Sequence, residues 1–332
     1  MWLPRSPALT DLQFGQWIEE CSEPGQSFIS DNWVSNETAY ADHLDFLAKT
    51  IPKGSVYVGV GPEQNFSYMA ALQPCYAFIV DIRRGNLLQH LYFKFLFEEC
   101  ATPQQWLAAL LSRSYDANWC TKTLPQWLDA LQQAPPDPRA RQLEIRFKRR
   151  LVAMNIDIRR REWGFLHKMR HEFAANGLDL RFVYRIPAAG QPVFPSFREV
   201  LLSQDSRQQY RNFLATPEAY HRVRTMQLQN RVIPVVGDFA GSRALSQIST
   251  LLRRQNLKVG LFYASNVEFY LMPKQLPGDK MEYGINELRA RLTELQRRLI
   301  AVGLIEVEFR QYGDGSNRLG SSVSSDANAI GE

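Results

Sequence analysis

Apolar positions change period several times along the first hundred residues. Between 36 and 49 (NETAYADHLDFLAK), Tyr40, His43, Leu44 and Leu47 recur at three- and four-residue intervals. That spacing predicts an amphipathic helix, with Ser35 or Asn36 as its cap. Pro52-Lys53-Gly54 ends it. Residues 55–60 are a short, continuous valine-rich run, the pattern of a strand buried on both faces. A helix is predicted over 64–72, a break at Gln73-Pro74, and a second buried strand over 76–82 (YAFIVDI) that ends at Asp81. Asn86 opens a further helix over 87–99, apolar on more than half its circumference and so packed on two sides.

Regular alternation then lapses. Residues 101–178 read as helical with a proline-rich joint at 134–138 (APPDP), an insertion between two halves of an α/β unit. A strand pattern returns at 179–185, followed by a loose proline-rich stretch at 187–197 and a polar helical segment at 204–229. Next come a strand at 232–236 (VIPVV), a helix at 242–255 with Leu245, Ile248, Leu251 and Leu252 on one face, and a strand at 258–264 (KVGLFYA). Strands alternating with helices through short joints predict an α/β fold with a doubly wound, mostly parallel, Rossmann-like sheet carrying a helical insertion. No internal repeat is present.

Towards the C-terminus, Ile285, Leu288, Leu292, Leu295 and Leu299 keep near-heptad spacing on a charged helix, too short a run for a coiled coil. Residues 313–332 are rich in Gly and Ser and are expected to be disordered. The expected organisation is an N-terminal extension over 1–34, one domain over 35–310 with its insertion at about 101–178, and a tail over 311–332.

Composition adds few constraints. The chain has 332 residues, 45% hydrophobic and 22% charged, with a net charge of +5 that suits an anionic ligand without requiring nucleic acid. Cys21, Cys75, Cys100 and Cys120 lie far apart, with no CxxC pair and no histidine at ligand spacing. They read as reduced thiols, two of them in the core, and not as a disulfide frame or a zinc site. The start, MWLPRSPALTDLQFGQW, lacks the basic and apolar regions of a signal peptide. The run 257–272 is interrupted by Lys258, Asn266 and Glu268 and is too short to span a bilayer. These features lead to the expectation of a cytoplasmic protein.

The candidate chemistry sits at strand ends. Gly59 and Gly61 follow the first buried strand, where missing β-carbons let the backbone turn and a ligand lie against it. Asp81 falls 20 residues after Gly61, the spacing at which a carboxylate reaches the ribose hydroxyls of an adenosine. A dinucleotide loop wants G-x-G-x-x-G, but here Gln64 stands at the third glycine and Glu63 puts a negative charge where a pyrophosphate would lie. A cationic, phosphate-free adenosine derivative suits that charge better. The alternatives are a glycine pair that serves only the turn and an Asp81 that caps the next helix.

The strings ISDNWVSNETAY, VYVGVGPEQNFSYMAAL, AFIVDIRRGNLLQHL, VIPVVGDFAGSRAL and LFYASNVEFYL resemble an uncharacterised bacterial family with a class I S-adenosylmethionine-dependent methyltransferase-like Rossmann fold. The resemblance spans roughly 28–272. It implies S-adenosylmethionine as cofactor, with Gly59, Gly61, Glu63, Gln64 and Asp81 around it. Glu63 stands where the methyltransferase loop usually has its third glycine, and a long helical insertion follows the second strand.

Other polar tips extend the candidate set. Asp238, after the strand at 232–236, either orients a substrate or takes a proton, or else it satisfies the turn ahead of the next helix. Ser265 and Asn266 close the last strand, and Asn36, Glu37 and Tyr40 begin the helix that feeds the first; all five are candidate pocket residues. His167 and His171 are four apart, but HKMRH lacks the acid of a zincin motif and Lys168 and Arg170 oppose a cation, so no metal is expected. Residues 139–170 carry eleven Lys/Arg against three Asp/Glu, with Phe147, Trp163 and Phe165 among them. A solvated helix face accounts for this, and a nucleic-acid face is the less favoured reading. The expected function is methyl transfer from S-adenosylmethionine to an unidentified acceptor. The alternatives are a non-catalytic nucleoside-binding sensor or assembly module, and an NAD(P)-dependent oxidoreductase, with no membrane partner in any case.

Overall fold

A computed structural model describes residues 8–185, 192–265 and 267. The C-terminal heptad pattern, the Gly/Ser-rich tail and the candidate Asn266 lie outside them. The elements in chain order are α1 (Asp11–Cys21), α2 (Leu44–Thr50), β1 (Val56–Gly59), α3 (Gln64–Leu72), β2 (Ala77–Asp81) and α4 (Arg84–Glu99). The insertion runs on beyond the expected 178 and supplies α5 (Pro103–Leu110), α6 (Leu124–Gln133), α7 (Ala140–Ala153), α8 (Arg160–Asn176) and α9 (Phe197–Leu201). The chain then forms α10 (Pro217–Leu228), β3 (Val232–Val236), α11 (Ala244–Arg254) and β4 (Val259–Phe262).

The four strands form one sheet in the order β3-β2-β1-β4, every pair parallel. β1, β2 and β3 are buried along their whole length, which accounts for their unbroken apolar runs. The chain leaves β1 towards β2 through α3, but reaches the other neighbour of β1 only after β3, when α11 carries it across to β4. The winding direction therefore reverses at β1.

Helices gather in two groups. Trp17 of α1 lies against Tyr76 and Phe78, which share one side of β2, and α1 contacts α11. The other group, α3, α4 and α10, packs together and carries the insertion on α4. Phe66, Phe93, Phe97, Trp106 and Phe213 meet edge-on or tilted at that junction, with centroids 5.1–6.0 Å apart. A partly buried network ties α1 to the insertion: Lys94 pairs with Glu98 at 2.8 Å, and Arg150 bridges Glu98 and Asp11 at 2.7 and 2.5 Å.

Several expectations need correction. Residues 11–34 do not stand apart as an extension; Glu23 N–H donates to the Val236 carbonyl at 2.9 Å, closing the β3 edge. The stretch at 179–185 is no sheet strand. Arg181 makes a single bridge to Ser196, and the alternation arises because 183–185 bonds the segment at 29–30. The helix expected over 204–229 begins only at Pro217, where Thr216 caps it and proline fits the first position. Upstream, the Asp205 carboxylate accepts the N–H groups of Arg207 and Gln209 and holds a turn instead. Over 36–49, a 3-10 turn (Ala39–His43) precedes α2, and neither Ser35 nor Asn36 caps it. Three cysteines are buried, one more than expected, and Cys120 is exposed. No described helix is long and apolar enough to cross a membrane.

Candidate functional site

All four strands point their carboxyl ends at one cleft, which encloses about 800 Å³, part of it open to solvent. The β1 end contributes Val60, Gly61, Pro62 and Gln64. The β2 end contributes Val80, Asp81, Ile82 and Arg83, the β3 end Gly237 and Phe239, and the β4 end Tyr263, Ser265 and Val267. Phe28, Asn32 and 35–37 close it from the N-terminal side, and Phe182 from the insertion. Ligands in open parallel sheets sit at this edge, where the winding reverses.

The two glycines serve different ends. A β-carbon on Gly59 would lie 2.2 Å from Asn65 Oδ1 and 2.6 Å from Tyr57 Oη, so packing within the protein demands that glycine. Tyr57 donates to Asn65 Oδ1 at 2.7 Å, while Asn65 Nδ2 donates to the Val60 and Pro62 carbonyls at 2.9 and 2.8 Å. Asn65 thus staples the loop shut. Gly61 has φ +84 and nothing within 4 Å of its β-carbon position. It alone of the pair gives a ligand room, in a conformation other residues rarely adopt. Beneath the loop, His90 Nε2 lies 2.9 Å from the Gly61 carbonyl, so Nε2 carries the proton. Nδ1 has no partner, and burial pushes the imidazole down to about 4.

Glu63 does not reach the cleft. It is 2% exposed, and both carboxylate oxygens accept the Ser35 N–H, at 3.1 and 3.2 Å. Burial pushes its carboxyl up to about 7. The glutamate that lines the cleft is Glu37. Tyr263 donates to it at 2.6 Å, Gln64 Nε2 at 3.3 Å, and the Ser265 hydroxyl also donates to it. Ser35 Oγ donates to Gln64 Oε1, which latches 35–37 to the first turn of α3. Burial, reinforced by the Glu37 charge, raises the Tyr263 phenol well above its ordinary value. Among the described residues Glu37 has no cationic partner.

Asp81 lines the cleft but is held by Arg83. Its Oδ1 accepts the Arg83 N–H at 2.9 Å and Nε at 2.8 Å, and Oδ2 accepts Nη2 at 2.5 Å. Arg83 Nη1 donates to the Asp31 carbonyl at 2.5 Å, and the guanidinium lies 5.5 Å from the centre of the Phe28 ring. An ionised carboxylate has about four acceptor positions, so Asp81 keeps one for a ligand. This pairing also starts α4 at Arg84, ahead of the expected Asn86.

The remaining candidates divide. Asn36 and Ser265 line the cleft. Tyr40 is 3% exposed and packs against Tyr68, away from it. Asp238 turns into its own loop: Oδ1 accepts Ala240 N–H at 2.8 Å and Oδ2 accepts Gln26 Nε2 at 3.3 Å. Its neighbour Phe239 faces the cleft instead. Arg83 could have been found from the Asp-Ile-Arg-Arg run after the strand; Phe28, Phe182 and Tyr263 carried no local signal.

A family described as Domain of unknown function (DUF7790) matches residues 32–277, about three-quarters of the chain. The chain belongs to that family. No curated protein matches it. The DUF7790 region contains all four strands and every cleft-lining residue except Phe28.

Proposed function

We propose that this chain binds S-adenosylmethionine in the cleft, on a doubly wound, methyltransferase-like Rossmann sheet, and that its reaction is methyl transfer. The observation that carries the reading is Glu37, a carboxylate held by three donors, facing the cleft, with no described cation to neutralise it. Such a group favours a ligand with positive charge. The other charges lining the cleft, Asp81 and Arg83, cancel one another, which leaves no free cation among the described residues to meet a pyrophosphate. That balance weighs against NAD(P) and the oxidoreductase reading.

The residues fit the cofactor in parts. Glu37 would face its cationic centres, the open side of Gly61 would admit its chain, and the remaining acceptor position of Asp81 would take one ribose hydroxyl. Phe28, Ile82 and Phe239 supply apolar walls for a base. Bound there, S-adenosylmethionine would supply a methyl group activated on a sulfonium. The protein's share is alignment and exclusion of water.

Isothermal titration with S-adenosylmethionine, S-adenosylhomocysteine and NAD(H) tests this. Heat with the first two supports it; no heat at about millimolar ligand, with NAD(H) binding instead, overturns it. A sensor or assembly module is the second reading, favoured by one observation: Glu37 and Asp81 are both engaged, so neither is a free base. Binding without turnover over a broad acceptor panel would select it.

A further inference from the structure

We propose that α8 forms a binding ridge for single-stranded nucleic acid along the rim of the cleft. Three successive turns of α8 touch segments that line the cleft. Glu162 pairs with Arg84 at 3.1 Å, Phe165 packs on Trp33 at 5.0 Å, and Lys168 bonds Asp31 at 2.6 Å while its ammonium lies 5.9 Å from the Trp33 ring centre. The helix is thereby tied to those segments, and its positions 160, 164, 167 and 171 are exposed.

The exposed surface shared by α7 and the start of α8 is basic. From Ala140 to His171, eight Lys/Arg are exposed against one exposed carboxylate, Asp157. Five of the eight, including Arg159, Arg160 and Arg161 at the start of α8, have no carboxylate partner among the described residues. His167 and His171 continue the exposed face, and Gly164, one turn before His167, meets nothing within 4 Å of its β-carbon position. Arg185, which joins Lys168 on Asp31 at 2.6 Å, extends the positive rim beyond the helix. Arg160 to Lys168 spans about 12 Å of helix axis, room for a few nucleotides.

The charge complementarity commits this face to a polyanion, and two features select a nucleic-acid strand over a lipid surface. The exposed side of α8 presents no large apolar side chain to enter a bilayer, and α7 adds only Ile145 and Val152. The adjoining cleft has an aromatic wall that the cofactor's base does not use, Phe182, against which an unpaired base can stack. Only the idea that such a strand carries the methyl acceptor rests on the function proposed above; binding to the ridge does not.

Fluorescence anisotropy with labelled single strands of about 12 nucleotides, one RNA arm and one DNA arm, tests the ridge on the full-length protein. The expected result is binding by at least one arm, weakening as salt rises, and at least about tenfold weaker in Arg160→Glu/Arg161→Glu. The control, Arg253→Glu/Arg254→Glu on α11, should bind like the unaltered protein, and circular dichroism should show both variants folded. No binding at about 150 mM salt, equal losses in both variants, or binding to anionic vesicles but to neither strand would overturn the proposal. Titration of the unaltered protein with S-adenosylmethionine separates the two readings. Cofactor binding with strand binding absent defeats only the ridge, and strand binding with no cofactor heat defeats only the cofactor site.

Discussion

Arg83 grips Asp81 with both arms of its guanidinium fork, Nε on Oδ1 at 2.8 Å and Nη2 on Oδ2 at 2.5 Å, inside a cleft wall where their side chains are only 7% and 5% exposed. Removing one partner of such a pair strands a buried charge. Arg83→Leu should therefore cost about 3–5 kcal/mol, read as a lower denaturation midpoint. Adding Asp81→Asn should recover part of that loss. An unchanged midpoint in Arg83→Leu would mean that water, not protein, solvates Asp81.

The loop glycines should separate stability from binding. Gly59→Ala forces a β-carbon into Asn65 and Tyr57 and should cost about 2 kcal/mol or more with little specific effect on ligand. Gly61→Ala only strains φ, at about 1 kcal/mol, but fills the open side of the cleft. Titration calorimetry should show at least about tenfold weaker S-adenosylmethionine binding for Gly61→Ala. Equal effects from the two variants would contradict this division.

Glu63 and His90 should pull stability in opposite directions with pH. The Glu63 carboxyl is raised from 4.5 to about 7, so the folded state holds the extra proton. Its contribution is fully present below 4.5 and is lost as pH rises through about 7. His90 is lowered from 6.5 to about 4, so its contribution is present above 6.5 and is lost as pH falls through about 4. The two largely offset between pH 4.5 and 6.5. Glu63→Gln should unmask a stability that climbs with pH over that window, and His90→Gln one that falls. Denaturant midpoints at a series of pH values would show both, and parallel profiles for the two variants would refute the assignment.

Glu37→Gln keeps the shape of the cleft and removes its uncompensated charge. Charge-assisted hydrogen bonds exceed neutral ones by about 1 kcal/mol or more, so S-adenosylmethionine should bind at least about fivefold more weakly. Adenosine, which has no cation, should bind the variant and the unaltered protein alike. Ultraviolet titration should also show the Tyr263 phenol ionising at lower pH once Glu37 is neutral, still above its ordinary value because burial is the larger cause. Equal losses for both ligands would remove the electrostatic argument.

Much of the framework was legible because periodicity reports burial over short distances. The helix at 64–72 and the strand at 232–236 were read to the residue, since Gln73-Pro74 and Gly237-Asp238 mark their ends sharply. The misreadings fall where local alternation had another cause. Residues 179–185 alternate because they lie along 29–30, and 204–216 is polar because its backbone is held by Asp205 and not by a helix.

The site was legible only as a location. Gly61, Gln64, Asp81, Asn36, Glu37 and Ser265 do line one cleft, because strand ends in a parallel sheet converge and each was read at such an end or just before one. Which carboxylate faces that cleft was invisible. Glu63 and Glu37 both flank the glycine loop once folded, but the chain path tucks Glu63 under Ser35 and leaves Glu37 exposed to Tyr263, 226 positions away. Sequence by itself located the four strands of the sheet, the glycine turn and the acid that ends the second strand, since these follow from solvent exclusion and backbone sterics within a few residues. Tertiary structure alone decided the order β3-β2-β1-β4, the clamp of Arg83 on Asp81 and Asp31, and the placing of charge in the cleft, because those depend on contacts between segments that no local pattern couples.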